Sequence, residues 1–154
     1  MLRLRGRASA TVDDKGRLKL PIVFRDVMGA SVNNCSGSCC GYYLTSLDGQ
    51  SARLYPMRVW EAIEAKLSEV SWTNQAKRRF LEVTSYYGFE ADLDSKDRFL
   101  IPQILRESAQ LKGEVAVLGQ IDHLVIWNRD LFERRIIANP LTAAELTMLA
   151  ELGI

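Results

Sequence analysis

The 154-residue sequence has little of what most catalytic and metal chemistry requires. It holds one histidine, His123, and three cysteines, Cys35, Cys39 and Cys40. All three cysteines fall in one Ser/Gly/Asn stretch between Asn33 and Gly41. An odd count does not read as a disulfide framework, and adjacent Cys39 and Cys40 are poorly placed to ligate one tetrahedral ion. No fourth ligand lies nearby, so free reduced thiols in a loop are expected, with no metal site and no cofactor. There is no apolar run near the ~20 residues that span a bilayer. The opening Met1-Leu2-Arg3-Leu4-Arg5-Gly6-Arg7 lacks the apolar core and cleavage site of a signal peptide. Charge of one sign is also lacking: 20 Lys+Arg against 19 Asp+Glu leave +1. No Gly-rich phosphate loop and no Ser/His or Cys/His arrangement is present. Asp13 and Asp14 beside Lys15 could bind Mg²⁺ or act as acid and base, but nothing else supports that chemistry. With 47% hydrophobic residues the chain is not disordered. A soluble, cytoplasmic, non-enzymatic globular protein is expected, with no membrane partner and no small-molecule substrate.

What the sequence does contain is a copy of itself. Residues 12–25, Val-Asp-Asp-Lys-Gly-Arg-Leu-Lys-Leu-Pro-Ile-Val-Phe-Arg, align without gaps on residues 93–106, Leu-Asp-Ser-Lys-Asp-Arg-Phe-Leu-Ile-Pro-Gln-Ile-Leu-Arg. Asp13, Lys15, Arg17, Pro21 and Arg25 fall on Asp94, Lys96, Arg98, Pro102 and Arg106. Val12, Leu18, Leu20 and Phe24 fall on Leu93, Phe99, Ile101 and Leu105. The match resumes as Leu54-Tyr55-Pro56 with Trp60 against Ile126-Trp127-Asn128 with Phe132, the offset falling from 81 to 72 residues. The extra residues of the first copy are best placed in the cysteine-bearing stretch, which reads as an insertion.

Each copy has the same local pattern. Ala8 to Val12 alternates weakly and reaches a polar turn at Asp13-Asp14-Lys15-Gly16. Arg17-Leu18-Lys19-Leu20 then has the period-two alternation of a half-buried strand. Pro21 suits the first turn of a helix over 22–28, ending near Gly29. Strands are expected over 42–47 and 51–55, joined at Asp48-Gly49. The second copy repeats this as strands 90–93 and 98–101, a helix 102–109, and strands 115–120 and 124–127. Between the copies, Trp60, Ile63 and Leu67, then Ala76, Phe80 and Val83, recur at helical spacing, with Thr73 as a plausible N-cap. Trp60 reads as core rather than as a stacking platform for a base. His123, after Asp122, reads as a solvated turn residue. A capping box, Thr142-x-x-Glu145, opens a tail helix with Leu146, Leu149 and Leu152 on one stripe. That stripe suits a subunit contact or a core-docking helix equally. The fold class is mainly β with short helices (α+β). The expected domains are two modules at 6–58 and 88–135, a helical linker at 59–87 and a helical tail at 136–154.

The repeated polar feature is Asp-x-Lys-x-Arg at a turn. An Asp opening a turn accepts backbone N–H bonds, and Gly16 supplies positive φ. At the matched place stands Asp97, which tolerates that region at some cost. A turn alone does not require Lys and Arg in both copies. An Arg held by Asp is a preorganised donor fork for phosphate oxygens or a guanine edge. Residues 1–19 carry six cations (Arg3, Arg5, Arg7, Lys15, Arg17, Lys19) against Asp13 and Asp14, leaving the remainder net acidic. Residues 88–107 carry three cations against five acids. A polyanion is therefore expected to lean on the first copy.

The doubled motif, with Arg-Leu-x-Leu-Pro and Arg-Phe-Leu-Ile-Pro and the Leu-Tyr-Pro and Ile-Trp partners, resembles the MraZ family over residues 6–135. These are bacterial transcription regulators built from two SpoVT-AbrB modules. The resemblance implies AbrB-like swapped-hairpin modules forming a pseudo-twofold β-barrel-like unit. It implies ring-shaped homo-oligomers, nucleoid association, and binding to repeated boxes in double-stranded promoter DNA of the division and cell-wall gene cluster. Carried over residue by residue, it points to Arg17 and Arg98 as DNA contacts, with Lys15 and Lys96 beside them and Asp13 and Asp94 as orienters. The basic arm adds Arg3, Arg5 and Lys19. Asp97 departs from the family's usual Gly, and the cysteine-bearing insertion is also unusual. The alternative is a non-enzymatic scaffold with incidental DNA binding.

Overall fold

The structure, a computed structural model, describes residues 3–33 and 41–154. In chain order the elements are β1 (Leu4–Val12), β2 (Arg17–Lys19), α1 (Ile22–Asn33), β3 (Tyr42–Thr45), β4 (Ala52–Pro56), α2 (Met57–Ser68) and α3 (Gln75–Tyr86). There follow β5 (Phe89–Ala91), β6 (Arg98–Leu100), α4 (Gln103–Ser108), β7 (Gly113–Ile121), β8 (His123–Asn128), α5 (Arg129–Ala138) and α6 (Ala143–Glu151). The strands form one antiparallel sheet in the order β5-β3-β4-β8-β7-β1-β2-β6. It curls into a nearly closed barrel, in keeping with the expected α+β class.

The order shows how the copies are joined. β1 of the first copy lies along β7 of the second, β3 along β5, β4 along β8, and β2 along β6. Each copy thus completes its sheet with strands of the other, the exchange a swapped hairpin requires. The cause is legible in the burial. Leu18 and Phe99 face each other across β2 and β6 and are 1% exposed. Around them Leu20 and Ile101, Phe24 and Leu105 are all buried, matched pair by matched pair. One short strand and one short helix bury too little apolar surface to stand alone; two copies share a single core.

A second, smaller cluster lies where α2 and α3 cover the outer face of β3 and β4. Trp60 is 4% exposed and stacks on Tyr43 at 4.6 Å, with Tyr55 at 5.2 Å and Phe80 at 6.1 Å. Trp60 is core, as its helical spacing suggests. The matched pair in the second copy, Trp127 and Phe132, sits at 5.5 Å.

Several local expectations change. The helix after Pro21 runs to Asn33, and β1 begins four residues earlier than Ala8, at Leu4. The cap of α3 is Asn74, whose side chain accepts from Lys77 N at 3.1 Å, while Thr73 Oγ1 pairs with Ser71 Oγ. His123 is not a solvated turn residue. It opens β8, its side chain is 14% exposed, and its ring stacks on Tyr55 at 4.7 Å. The aromatic partner lies far off in sequence, so local polarity could not reveal it. The tail has its capping box, but α6 buries no residue on its own chain. The core-docking reading of that helix is thereby removed. No helix among the described residues is long and apolar enough to cross a membrane. Cys35, Cys39 and Cys40 lie outside the described residues.

Candidate nucleic-acid interface

The two motif turns have the same geometry. In the first, Asp13 Oδ1 accepts from the backbone N–H groups of Lys15 and Arg17, both at 2.9 Å, and Oδ2 accepts from Arg17 Nε at 3.1 Å. In the second, Asp94 Oδ1 accepts from Lys96 N at 2.8 Å and Arg98 N at 3.0 Å, and Oδ2 from Arg98 Nε at 2.9 Å. The main chain closes each turn alike, with Asp13 N donating to Arg17 O and Asp94 N to Arg98 O, both at 2.9 Å. Each carboxylate thus organises the turn with one oxygen and grips the guanidinium with the other. The Arg17 and Arg98 N–H bonds, then those of the lysines and the guanidiniums, hold both carboxyls below their ordinary range despite an opposing desolvation. With Nε occupied, the two Nη groups of each Arg make no hydrogen bond among the described residues and remain as a donor fork.

Strand pairing places the two forks on one surface. Arg17 lies opposite Leu100, Leu18 opposite Phe99, and Lys19 opposite Arg98. Alternation sends Leu18 and Phe99 into the core, and Arg17, Lys19, Arg98 and Leu100 to the other face. Arg17 and Arg98 are diagonal neighbours, about 7–8 Å apart at their backbones. Lys15 and Lys96 are exposed at the two ends of this ribbon. Lys19 joins the patch as expected of its strand position. Arg3 and Arg5 do not. They are exposed at and just before the far end of β1, and Arg5 lies eight positions of extended chain before Asp13, about 26 Å.

The ribbon is braced across the repeat. Leu20 N donates to Asp97 O and Ile101 N to Gly16 O, each at 2.9 Å. Two further arginines reach the turns, both from the helix of the opposite copy. Arg25 Nη1 donates to Asp97 Oδ2 at 2.7 Å. Arg106 lies against Gly16, its guanidinium 2.4–2.7 Å from where a Cβ would stand. Sequence reasoning found this pair as a repeat identity but gave it no place at the site. The signal was there: a turn does not need an Arg eight residues later, and both copies have one.

Comparison with known proteins agrees with the doubled arrangement. The family model described as "MraZ protein, putative antitoxin-like" matches residues 4–83 and 88–151, covering both turns. A transcriptional regulator MraZ from Acidobacterium capsulatum is 41% identical over 150 residues, 97% of this chain and 99% of that protein. One from Koribacter versatilis is 40% identical over the same span and shares. One from Psychromonas ingrahamii is 34% identical over 135 residues, 86% of this chain and 84% of that one. With two matched turns set in one exchanged sheet, and with relatives of this likeness over nearly its whole length, the chain belongs to the MraZ family.

Proposed function

We propose that this chain is a sequence-specific DNA-binding transcriptional regulator. It acts as a ring-shaped homo-oligomer on repeated boxes in the promoter of the division and cell-wall gene cluster, its own promoter included. The observation that carries the reading is the pair of Asp-gripped arginine forks on the exposed face of the β2·β6 ribbon. A two-stranded ribbon fits the major groove, and an Arg fork matches the O6 and N7 acceptors of guanine. Arg17 and Arg98 make those contacts, while Lys15, Lys19 and Lys96 meet flanking phosphates. Arg3 and Arg5, remote from the ribbon, add to the attractive field or touch a more distant phosphate. The relatives' shared description as transcriptional regulators supports this reading.

Assembly supports affinity. One ribbon with few cations binds weakly, whereas several on one ring engage successive boxes at high effective concentration. The exposed Ile136, Ile137, Leu146 and Leu152 of α5, α6 and the tail offer an apolar surface for subunit contact. The same surface favours the second reading, a scaffold whose binding is to protein. Fluorescence anisotropy with a duplex carrying the repeats upstream of its own gene, beside a scrambled duplex, separates the two. Preference for the repeats, falling steeply with salt and lost in Arg17→Ala, is the expected result. No preference at any salt refutes the regulator and leaves the scaffold.

A further inference from the structure

The two turns differ in what becomes of the arginine that crosses to each of them. Arg25 reaches the second turn and is held between two carboxylates, Asp97 Oδ2 at 2.7 Å and Asp26 Oδ1 at 3.3 Å. Arg106, at the matched position, reaches the first turn, where Gly16 offers no side chain. Its Nε donates to Ile101 O at 2.8 Å, which fixes the plane of the group without neutralising it. Glu107, matched to Asp26, instead accepts from Gln103 Nε2 at 2.8 Å. Among the described residues no carboxylate forms an ion pair with Arg106. Formal charge does not separate the two turns, because Asp14 stands in the first where Ser95 stands in the second. The difference is one of contact. Asp97 holds φ 59°, a region that disfavours side chains, and from there its carboxylate meets Arg25.

We propose that Arg106 is a third cation of the first motif's site, supplied by the second repeat to a backbone phosphate of duplex DNA. Asp97 withdraws its counterpart, Arg25, from the same role at the second motif. The proposal rests on the DNA-binding reading and adds to it a residue and an asymmetry. A guanidinium oriented by a carbonyl and free of an anion gives both Nη groups to phosphate oxygens. One already bridging two carboxylates must first break those bonds.

The test uses the full-length chain, the repeat-bearing duplex and a salt series from about 50 to 200 mM. Arg106→Gln is expected to weaken binding about tenfold. The same variant should shallow the logarithmic salt slope by about one. Arg25→Gln should stay within about twofold of the parent. Asp97→Asn, which keeps a residue tolerant of positive φ, should tighten binding severalfold, and the gain should vanish in Asp97→Asn with Arg25→Gln. Thermal melts of each variant control for folding; if Arg106→Gln does not fold, the Asp97 and Arg25 pair decides. Equal losses in Arg25→Gln and Arg106→Gln, or no gain in Asp97→Asn, overturn the proposal while the parent still binds. A parent that shows no salt-dependent binding overturns the DNA-binding reading and this proposal together.

Discussion

Gly119 is where the joined sheet tolerates least. It sits in β7 opposite Gly6 of β1, on the long ladder that ties the second copy to the first. A Cβ at Gly119 would stand 2.4 Å from Arg5 N, 2.7 Å from Leu4 C and 2.9 Å from Arg5 Cα. All three are main-chain atoms, so no rotamer change relieves the contact. Ordinary contact begins near 3.4 Å, so β1 would have to withdraw by about 1 Å. Overpacking of this kind costs about 1–3 kcal/mol. Replacing a strand glycine returns about 0.5–1 kcal/mol of backbone entropy. Taking the middle of each range, the net for Gly119→Ala is a loss of about 1 kcal/mol, or roughly 2–4 °C in Tm for a chain of this size. Gly29 in α1 is the control, since among the described residues a Cβ there meets nothing within 4 Å and its φ is not positive. Gly29→Ala should gain about 0.5–1 kcal/mol and melt higher. Circular dichroism melts at one fixed protein concentration compare the three. A Gly119→Ala protein melting at or above the parent would refute the claim that backbone proximity forbids a side chain there.

Three further outcomes are expected. Arg17→Ala should cost more DNA affinity than Arg98→Ala, because the first turn lies on the more basic copy; equal losses in a binding titration would remove that claim. Asp13 and Asp94 both have lowered pKa values in the folded chain, so their contribution is present above the unfolded value near 3.8 and is lost as pH falls through the lower folded value. Stability should thus be insensitive to these groups between about pH 5 and 8 and fall only below about pH 4; an acid titration in which Asp13→Asn with Asp94→Asn leaves the low-pH slope unchanged would contradict this. Truncation after Asn139 removes α6, which buries nothing on its own chain. The truncated chain should keep its secondary structure and show a smaller assembly by light scattering, and an unchanged mass would exclude the tail from the subunit contact.

How far the sequence reveals the fold depends on whether the determinant is local. The turn, strand, proline and helix of each repeat depend on alternation and on Asp, Gly and Pro at set places, so both copies were legible. The pairing of Asp with Arg within each turn was legible for the same reason, being four residues apart. What the sequence left open depends on partners far along the chain. His123 becomes largely covered where Tyr55 lies against it. The length of β1 comes from β7, which carries it back to Leu4 although Arg5 and Arg7 look like a solvated arm. Arg25 and Arg106 gain a role only once each helix is seen to face the other repeat's turn.

The cross-braced turns have a consequence for inheritance. Two separate single-repeat chains joined in the same way would be identical, and any residue at the fourth place of one turn would stand at the fourth place of the other. Covalent joining lifts that constraint, and here the two places hold Gly16 and Asp97. The ribbon between them consequently has a head and a tail. Under the proposed function, a chain laid along a duplex would face one way, and a row of such chains would tell upstream from downstream.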